Sequence, residues 1–114
     1  MTTFTVTKNN GRDIWLEARV PVYGDYATHR EDSARRQVRR ALKAAATTFP
    51  PEWPRQLGEW ARVEWADSNG RVVVRVPAAM GRHVLALQEA EVLQNRAQRA
   101  PAFKREVNAP LVAK

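Results

Sequence analysis

Residues 60–76 read WARVEWADSNGRVVVRV, and this stretch predicts a β-hairpin. Asn69-Gly70 is a dipeptide favoured in tight two-residue turns, because both central residues of such a turn need positive φ. The predicted opposite pairs are Val63 with Val76, Glu64 with Arg75, and Trp65 with Val74. One face of the hairpin is then apolar and the other carries an opposite-charge pair, so register and side-chain chemistry agree.

A second hairpin is predicted between residues 3 and 22, with its turn at Asn10-Gly11. Residues 3–7 are rich in β-branched and aromatic side chains, and the apolar residues from position 14 to position 20 alternate with a period of two. The predicted opposite pairs are Lys8 with Asp13 and Val6 with Trp15. This hairpin supplies the other half of a sheet.

Two helices are predicted, one after each hairpin. Residues 28–31, Thr-His-Arg-Glu, form a capping box that begins the first helix, and the prolines at positions 50 and 51 end it. The second helix runs from about Ala79 to Ala100 and ends before Pro101. Its apolar residues are spread over two sides, which is typical of a helix that is deeply buried or shared with a partner. A homodimer is therefore expected.

The sequence predicts an α+β fold with two layers. We expect a four-stranded antiparallel sheet with two helices on one face, in the order ββαββα. Residues 1–100 form a single domain, and residues 101–114 are predicted to be a basic C-terminal tail or arm.

Composition excludes several classes of site. The chain has 114 residues and no cysteine, so it cannot hold a disulfide, a thiolate zinc site or a cysteine nucleophile. His29 and His83 have no further ligand at metal-binding spacing. We therefore expect no metal, no cofactor and no enzymatic activity, although a nuclease built from separated carboxylates stays open. No stretch resembles a membrane span or a leader, so a cytoplasmic protein without a membrane partner is expected.

The formal net charge of +7 is unevenly distributed. Residues 28–48 hold six Lys or Arg and two acids, and residues 96–114 hold five and one. The rest of the chain has one more acid than base. The positive charge is therefore concentrated in the first helix and the C-terminal stretch, where it could attract phosphates or an acidic protein.

The outer face of the first helix carries the strongest functional signal. At 100° per residue, one third of the circumference holds Arg36, Arg39, Arg40 and Lys43, with Arg35 beside them. No acid occurs between Ser33 and Pro51, so these cations repel one another. Phosphate groups of DNA or RNA would favour them through charge pairing and counterion release. The alternatives are an acidic protein surface and a merely solvated face.

Aromatic residues give a second signal on the sheet. If Trp65 and the valines of the second hairpin face the helices, the opposite face is predicted to show Phe4, Val6, Trp15, Arg19, Trp60 and Arg62. Aromatics interleaved with arginines form a stacking platform for single-stranded nucleic acid. The alternative is that Phe103 and Val107, or another subunit, cover this face. Trp53, in a proline-rich loop, is either an anchor for a partner or a plug at the edge of the core.

The leading functional hypothesis is a non-catalytic nucleic-acid-binding module that contacts backbone phosphates through the basic helix face. The alternative is a small interaction or inhibitor protein of phage or mobile-element type. Such a protein would dock on a larger partner through exposed aromatics such as Trp15, Trp53 or Trp60. The two hypotheses differ in salt dependence, which is steep only for phosphate binding.

Overall fold

The computed structural model describes the backbone of residues 2–113 and the side chains of residues 2–96. The strands are β1 (Phe4–Asn9), β2 (Asp13–Arg19), β3 (Arg62–Ala66) and β4 (Arg71–Pro77), and the helices are α1 (Ala27–Ala46), α2 (Leu57–Trp60) and α3 (Ala78–Ala113). The strands form one antiparallel sheet in the order β1-β2-β4-β3. The predicted α+β architecture is confirmed, and the single-turn helix α2 is an addition to it.

Helix α3 begins one residue before the predicted start and extends beyond the predicted end at Ala100. The predicted basic tail, residues 101–114, lies outside the side chains that the structure describes, as do Phe103 and Val107.

The core lies between the sheet and the two long helices. Strand β2 alternates buried and less buried residues, since successive side chains of a strand point to opposite faces. Strand β4 follows the same pattern except at Val73, which is buried on the opposite sheet face. On the helix side, the buried side chains of both strands meet Ala34, Val38 and Leu42 of α1, which repeat every four residues and so share one side of that helix. Met80 and Val84 of α3 complete the same layer. The opposite sheet face carries no helix among the described residues.

Strand β1 is tied to α3 through its first residue. The backbone N–H of Phe4 donates to Oε1 of Gln88 (2.6 Å), and the Gln88 amide donates back to the Phe4 carbonyl (3.0 Å). Phe4 pairs with the helix-facing Ala18 and is 4% exposed. The expectation that Phe4 lies on the open sheet face is therefore wrong, because its register turns the ring into the core.

The β3–β4 hairpin forms where predicted, but with a different register. No described residue other than glycine has positive φ, whereas Gly70 has a φ of +91°. Asn69 therefore cannot occupy the predicted turn. The loop instead has three residues, 68–70, with Gly70 in the left-handed position. This turn sets Trp65 opposite Val73, and a bulge at Glu64 then shifts the register so that Val63 lies opposite Val74.

The predicted ion pair of this hairpin survives the change of register. Arg75 Nε lies 3.3 Å from Glu64 Oε1, although Arg75 is directly opposite Arg62. The bulge brings the Glu64 carboxylate within reach of the same arginine. The expectation that these two residues pair is confirmed, and the expectation that they are directly opposite is wrong.

The β1–β2 hairpin also forms with a register that differs from the predicted one. Gly11, with φ +86°, occupies the first central position of the turn, followed by Arg12. The Asn10 side chain accepts hydrogen bonds from the backbone N–H groups of Arg12 and Asp13 (3.0 and 2.7 Å), which fixes Asn10 before the turn rather than in it. Lys8 then lies opposite Trp15 and, after a bulge at Thr7, Val6 lies opposite Leu16.

Helix α1 begins without the predicted capping box. Its N-cap is Tyr26, which has extended backbone angles and no side-chain capping bond. Gly24 adopts a φ of +123° and approaches the helix so closely that a Cβ there would lie 2.7 Å from Cβ of His29. The Tyr26 ring meets the His29 ring edge-on at 5.5 Å. Packing of this loop against the first turn therefore sets the helix start, and not the Thr28 hydroxyl.

Asp67 closes the β3–β4 turn with its side chain. Its Oδ1 accepts hydrogen bonds from the backbone N–H groups of Asn69 and Arg71, both at 3.0 Å. The Arg71 N–H is the main cause that lowers the pKa of the Asp67 carboxyl, and Asn69, the Trp65 side chain and the Arg71 charge contribute in the same direction.

We expect this carboxylate to make folding stability depend on acid pH. Because the pKa of Asp67 is lower in the folded state, its contribution is full above the unfolded value of about 3.9 and is lost as the pH falls through the folded value. Asp67→Asn keeps an acceptor oxygen but does not titrate. Between about pH 5 and pH 3, the unfolding temperature of the parent should fall more than that of the variant, as followed by circular dichroism. Asp25→Asn, in the exposed loop before α1, is the matched charge control; equal losses for parent and Asp67→Asn would contradict the expectation.

Candidate functional site

The outer face of α1 presents its cations to solvent. All four residues predicted for this face are exposed: Arg36, Arg39, Arg40 and Lys43. They form no salt bridge with any side chain among residues 2–96. Arg35 differs, since it is partly covered and its Nη1 lies 3.0 Å from Asp32 Oδ1. The charge of this face is therefore largely uncompensated within the described part of the chain.

A groove separates α1 from the edge strand β3. Arg35, Arg39 and Lys43 occupy successive turns of α1, about 6 Å apart along its axis, and line the side of the helix that faces β3. One hollow of about 640 Å³ lies between Arg35, Arg39 and residues 61–66. An adjoining hollow of about 180 Å³ lies between Arg39, Lys43 and residues that include Leu57 and Val63. Both hollows share Arg39, Ala61 and Val63, and we call the combined feature the α1–β3 groove.

The predicted basic residues thus divide into two sets. Arg35, Arg39 and Lys43 line the α1–β3 groove. Arg36 and Arg40 fall further around the helix, away from β3, because each residue advances by 100°. The sequence placed all five on one side of α1, and the structure adds that three of them share a concave surface with the sheet edge.

The open sheet face differs from the predicted one at two tryptophans and, besides Phe4, at Val6. The expectation that Val6 lies on this face is wrong, because Val6 lies opposite the buried Leu16 and so points to the helix side.

Trp65 was predicted to face the helices, but the three-residue turn places it opposite Val73 on the open face. Its side chain is 53% exposed. Trp15 lies on the same face, opposite Arg75, as predicted. Trp65 is therefore the site residue that sequence reasoning missed, and the turn residues are the signal that could have found it.

Trp60 does not lie on the open sheet face, and that expectation is wrong. It belongs to α2, is 4% exposed, and packs against Phe49 with ring centroids 4.9 Å apart. Its Nε1 is buried without a hydrogen-bond partner among the described residues. Trp53 packs edge-on against Phe49 (5.2 Å) and His83 (5.7 Å), which corresponds to the plug at the core edge. Trp60 therefore offers no free ring for stacking, and Trp53 is partly covered.

Arginines face one another across the open sheet face. Arg19 lies directly opposite Arg71, and Arg62 lies directly opposite Arg75. Like charges in such positions are unfavourable. Glu17 forms a salt bridge with Arg71 and raises the pKa of that guanidinium, chiefly by its hydrogen bond, while Glu64 pairs with Arg75. Each arginine pair thus has one neutralised member, and Arg19 and Arg62 have no acidic partner among residues 2–96.

The Trp15 ring is partly occupied by a neighbouring cation. The Lys8 ammonium lies 4.6 Å from the ring centroid, a cation–π contact across adjacent strands. One face of this indole is therefore covered, whereas Trp65 has no aromatic or cation–π partner among the described side chains.

Strand β3 joins the two candidate surfaces. Arg62 and Trp65 line the α1–β3 groove and also belong to the open sheet face. The basic helix and the aromatic sheet, which the sequence suggested as separate sites, are therefore parts of one continuous surface around the β3 edge.

A second groove lies on the other side of α1, between α1 and α3. It has a volume of about 460 Å³, and its walls include Ala41, Ala44 and Leu87. Further along α3, Val92 and Leu93 are 40% and 56% exposed. Helix α3 thus carries apolar residues both in the wall of this groove and on its exposed surface, in agreement with the predicted spread. The homodimer stays a prediction.

The described part of the chain contains neither a candidate metal-binding cluster nor a helix that could span a membrane. No group of three His, Asp or Glu side chains there could hold a metal ion. None of the described helices has the length and apolar character needed to cross a bilayer.

Comparison of this chain with protein-family models, curated proteins and solved structures finds no match.

Proposed function

We propose that this protein is a non-catalytic nucleic-acid-binding module whose main contacts are made by the basic face of α1 to backbone phosphates. One observation carries the proposal. Four exposed cations stand on one side of α1 with no salt bridge to any described side chain. Such an arrangement is unfavourable in the free protein, and a row of phosphates relieves it.

The α1–β3 groove beside this face fits a continuous polyanion better than the scattered carboxylates of an acidic protein surface. Cations reach the α1–β3 groove from two elements, Arg35, Arg39 and Lys43 from the helix and Arg62 from the strand. Guanidinium groups match phosphate oxygens in a bidentate geometry. A continuous backbone of regularly spaced phosphates would pair with all of them at once and release its condensed counterions.

Salt dependence of oligonucleotide binding tests the proposal. A labelled oligonucleotide is titrated with the full chain at several salt concentrations between about 0.05 and 0.2 M, with anisotropy as the readout. Each phosphate contact contributes a slope of about −0.9 on a duplex, or about −0.7 on a single strand, to a plot of log K against log salt. Four contacts predict a slope of about −3 or steeper.

Two other outcomes would contradict the proposal. Polyglutamate of equal charge that competes as well as an oligonucleotide would favour an acidic protein as the partner. No binding at the lowest salt concentration would show that the basic face serves another purpose. Docking on a larger protein through exposed aromatics predicts an association that changes little with salt.

A further inference from the structure

We infer that the ligand is a single strand of nucleic acid, whose phosphates follow the α1–β3 groove and whose bases turn over the β3 edge to stack on Trp65. This inference rests on the proposed function and names its ligand class. It joins three features: the cationic wall of the groove, the edge position of β3, and the exposed indole beside it.

The groove is shaped for a chain rather than for a compact ligand. It is open to solvent and continuous past two turns of α1, with cations on the helix side and Arg62 on the strand side. Its floor is formed by small apolar residues, Ala61 and Val63. A strand backbone can lie on such a floor with its phosphates beside the cations, while its bases are free to turn outward.

Trp65 is the available stacking platform at this edge. More than half of its surface is exposed, which leaves a large apolar area in water. The three-residue turn is what places this residue on the open face, because it sets Trp65 opposite Val73. The bulge at Glu64 comes after Trp65 on the way from the turn and returns Val63 to the helix side, opposite Val74. Arg62, which has no acidic partner among residues 2–96, adds a cation that can pair with the phosphate of a stacked nucleotide.

Base stacking on this indole requires an unpaired strand. In a duplex the bases are paired and stacked about 3.4 Å apart, so their faces cannot meet a protein ring. Trp65 and Trp15 lie two strands apart in the sheet. The spacing between strands and the rise per residue give a distance of about 12 Å between their backbone positions. A strand that reaches both must have its bases splayed apart, as single-strand-binding sheets require.

The test compares two oligonucleotides of equal charge. One is a thymidine homopolymer of about 12 nucleotides, within the range of known single-strand sites, and the other is the same backbone with abasic positions. The parent should bind the thymidine strand more tightly than the abasic strand. Trp65→Ala should lose roughly 5- to 150-fold on the thymidine strand, the affinity of one stacked base, and should bind the abasic strand like the parent. Trp65→Phe should recover part of the loss.

Tyr23→Ala is the matched control, because Tyr23 is 65% exposed and lies outside both the groove and the open sheet face. It should bind both strands like the parent. The inference is overturned if the parent does not distinguish the two strands, if Trp65→Ala binds thymidine like the parent, or if a duplex of the same length binds more tightly. In these cases a steep salt slope would leave the proposed function in place, whereas absence of binding to every oligonucleotide would overturn both.

Discussion

Replacing Arg35, Arg39 and Lys43, the three cations of α1 that line the α1–β3 groove, together with Gln is expected to weaken oligonucleotide binding about 100-fold at 0.1 M salt. Three lost phosphate contacts should flatten the slope of log K against log salt by about 2.1 on a single strand, and this corresponds to roughly two orders of magnitude at that salt concentration. Gln preserves helix propensity, and none of the three side chains is buried. The fold should therefore survive, as circular dichroism can check.

The matched control removes the same charge elsewhere. Arg12, Arg82 and Arg96 are also exposed, in the β1–β2 turn and on α3, and their joint replacement with Gln lowers the net charge equally. This control should retain most of the affinity and most of the slope. Equal losses for the two triple variants would mean that binding depends on overall charge and not on the face of α1.

The architecture was predictable because its signals are periodic and local. The alternation of residues 14–20 and the four-residue repeat of Ala34, Val38 and Leu42 each imply one buried side, and burial of those sides requires a sheet covered by helices. The exposed basic face of α1 follows from the same repeat, since it is the side opposite the stripe.

Strand register was not predictable from the Asn-Gly dipeptides alone. Asn69-Gly70 fits the centre of a two-residue turn, but it also fits the end of a three-residue loop with only the glycine at positive φ. The two turns differ in length by one residue, and a register shift of one residue moves every side chain of a strand to the opposite face of the sheet. Trp65 changed sides for this reason. Asp67 is the residue that selects the longer loop, because its side chain binds the N–H groups of Asn69 and Arg71.

The burial of Trp60 has a different cause. The connection between α1 and β3 contains a single helical turn, residues 57–60, which the sequence does not indicate because four residues are too few to show a period. That turn carries Trp60 onto Phe49 instead of extending the strand. An aromatic residue next to a predicted strand was thus assigned to the sheet, when long-range packing against α1 decided its place.

Gly70→Ala is expected to lower the free energy of unfolding by at least about 3 kcal/mol, because backbone strain and a steric clash add at this position. A left-handed backbone costs about 1–2 kcal/mol for a residue with a Cβ. The new Cβ would also lie 2.0 Å from the carbonyl oxygen of Val20 and 3.1 Å from Cγ1 of Val22. Backbone atoms must move to relieve this contact, and the hydrogen bond from Val20 N–H to the Gly70 carbonyl (2.9 Å) would be lost.

Gly11→Ala separates the two causes, because Gly11 has a similar φ of +86° but no atom within 4 Å of an added Cβ. It should show the backbone cost alone, about 1–2 kcal/mol, and lower the unfolding temperature by about 4–8 °C, whereas Gly70→Ala should lower it by about 12 °C or more. Thermal unfolding followed by circular dichroism measures both. Equal shifts would show that the β3–β4 turn moves away from Val20 at little cost. A larger shift for Gly70→Ala would establish that the segment after β2 closes over this turn and holds the register on which the position of Trp65 depends.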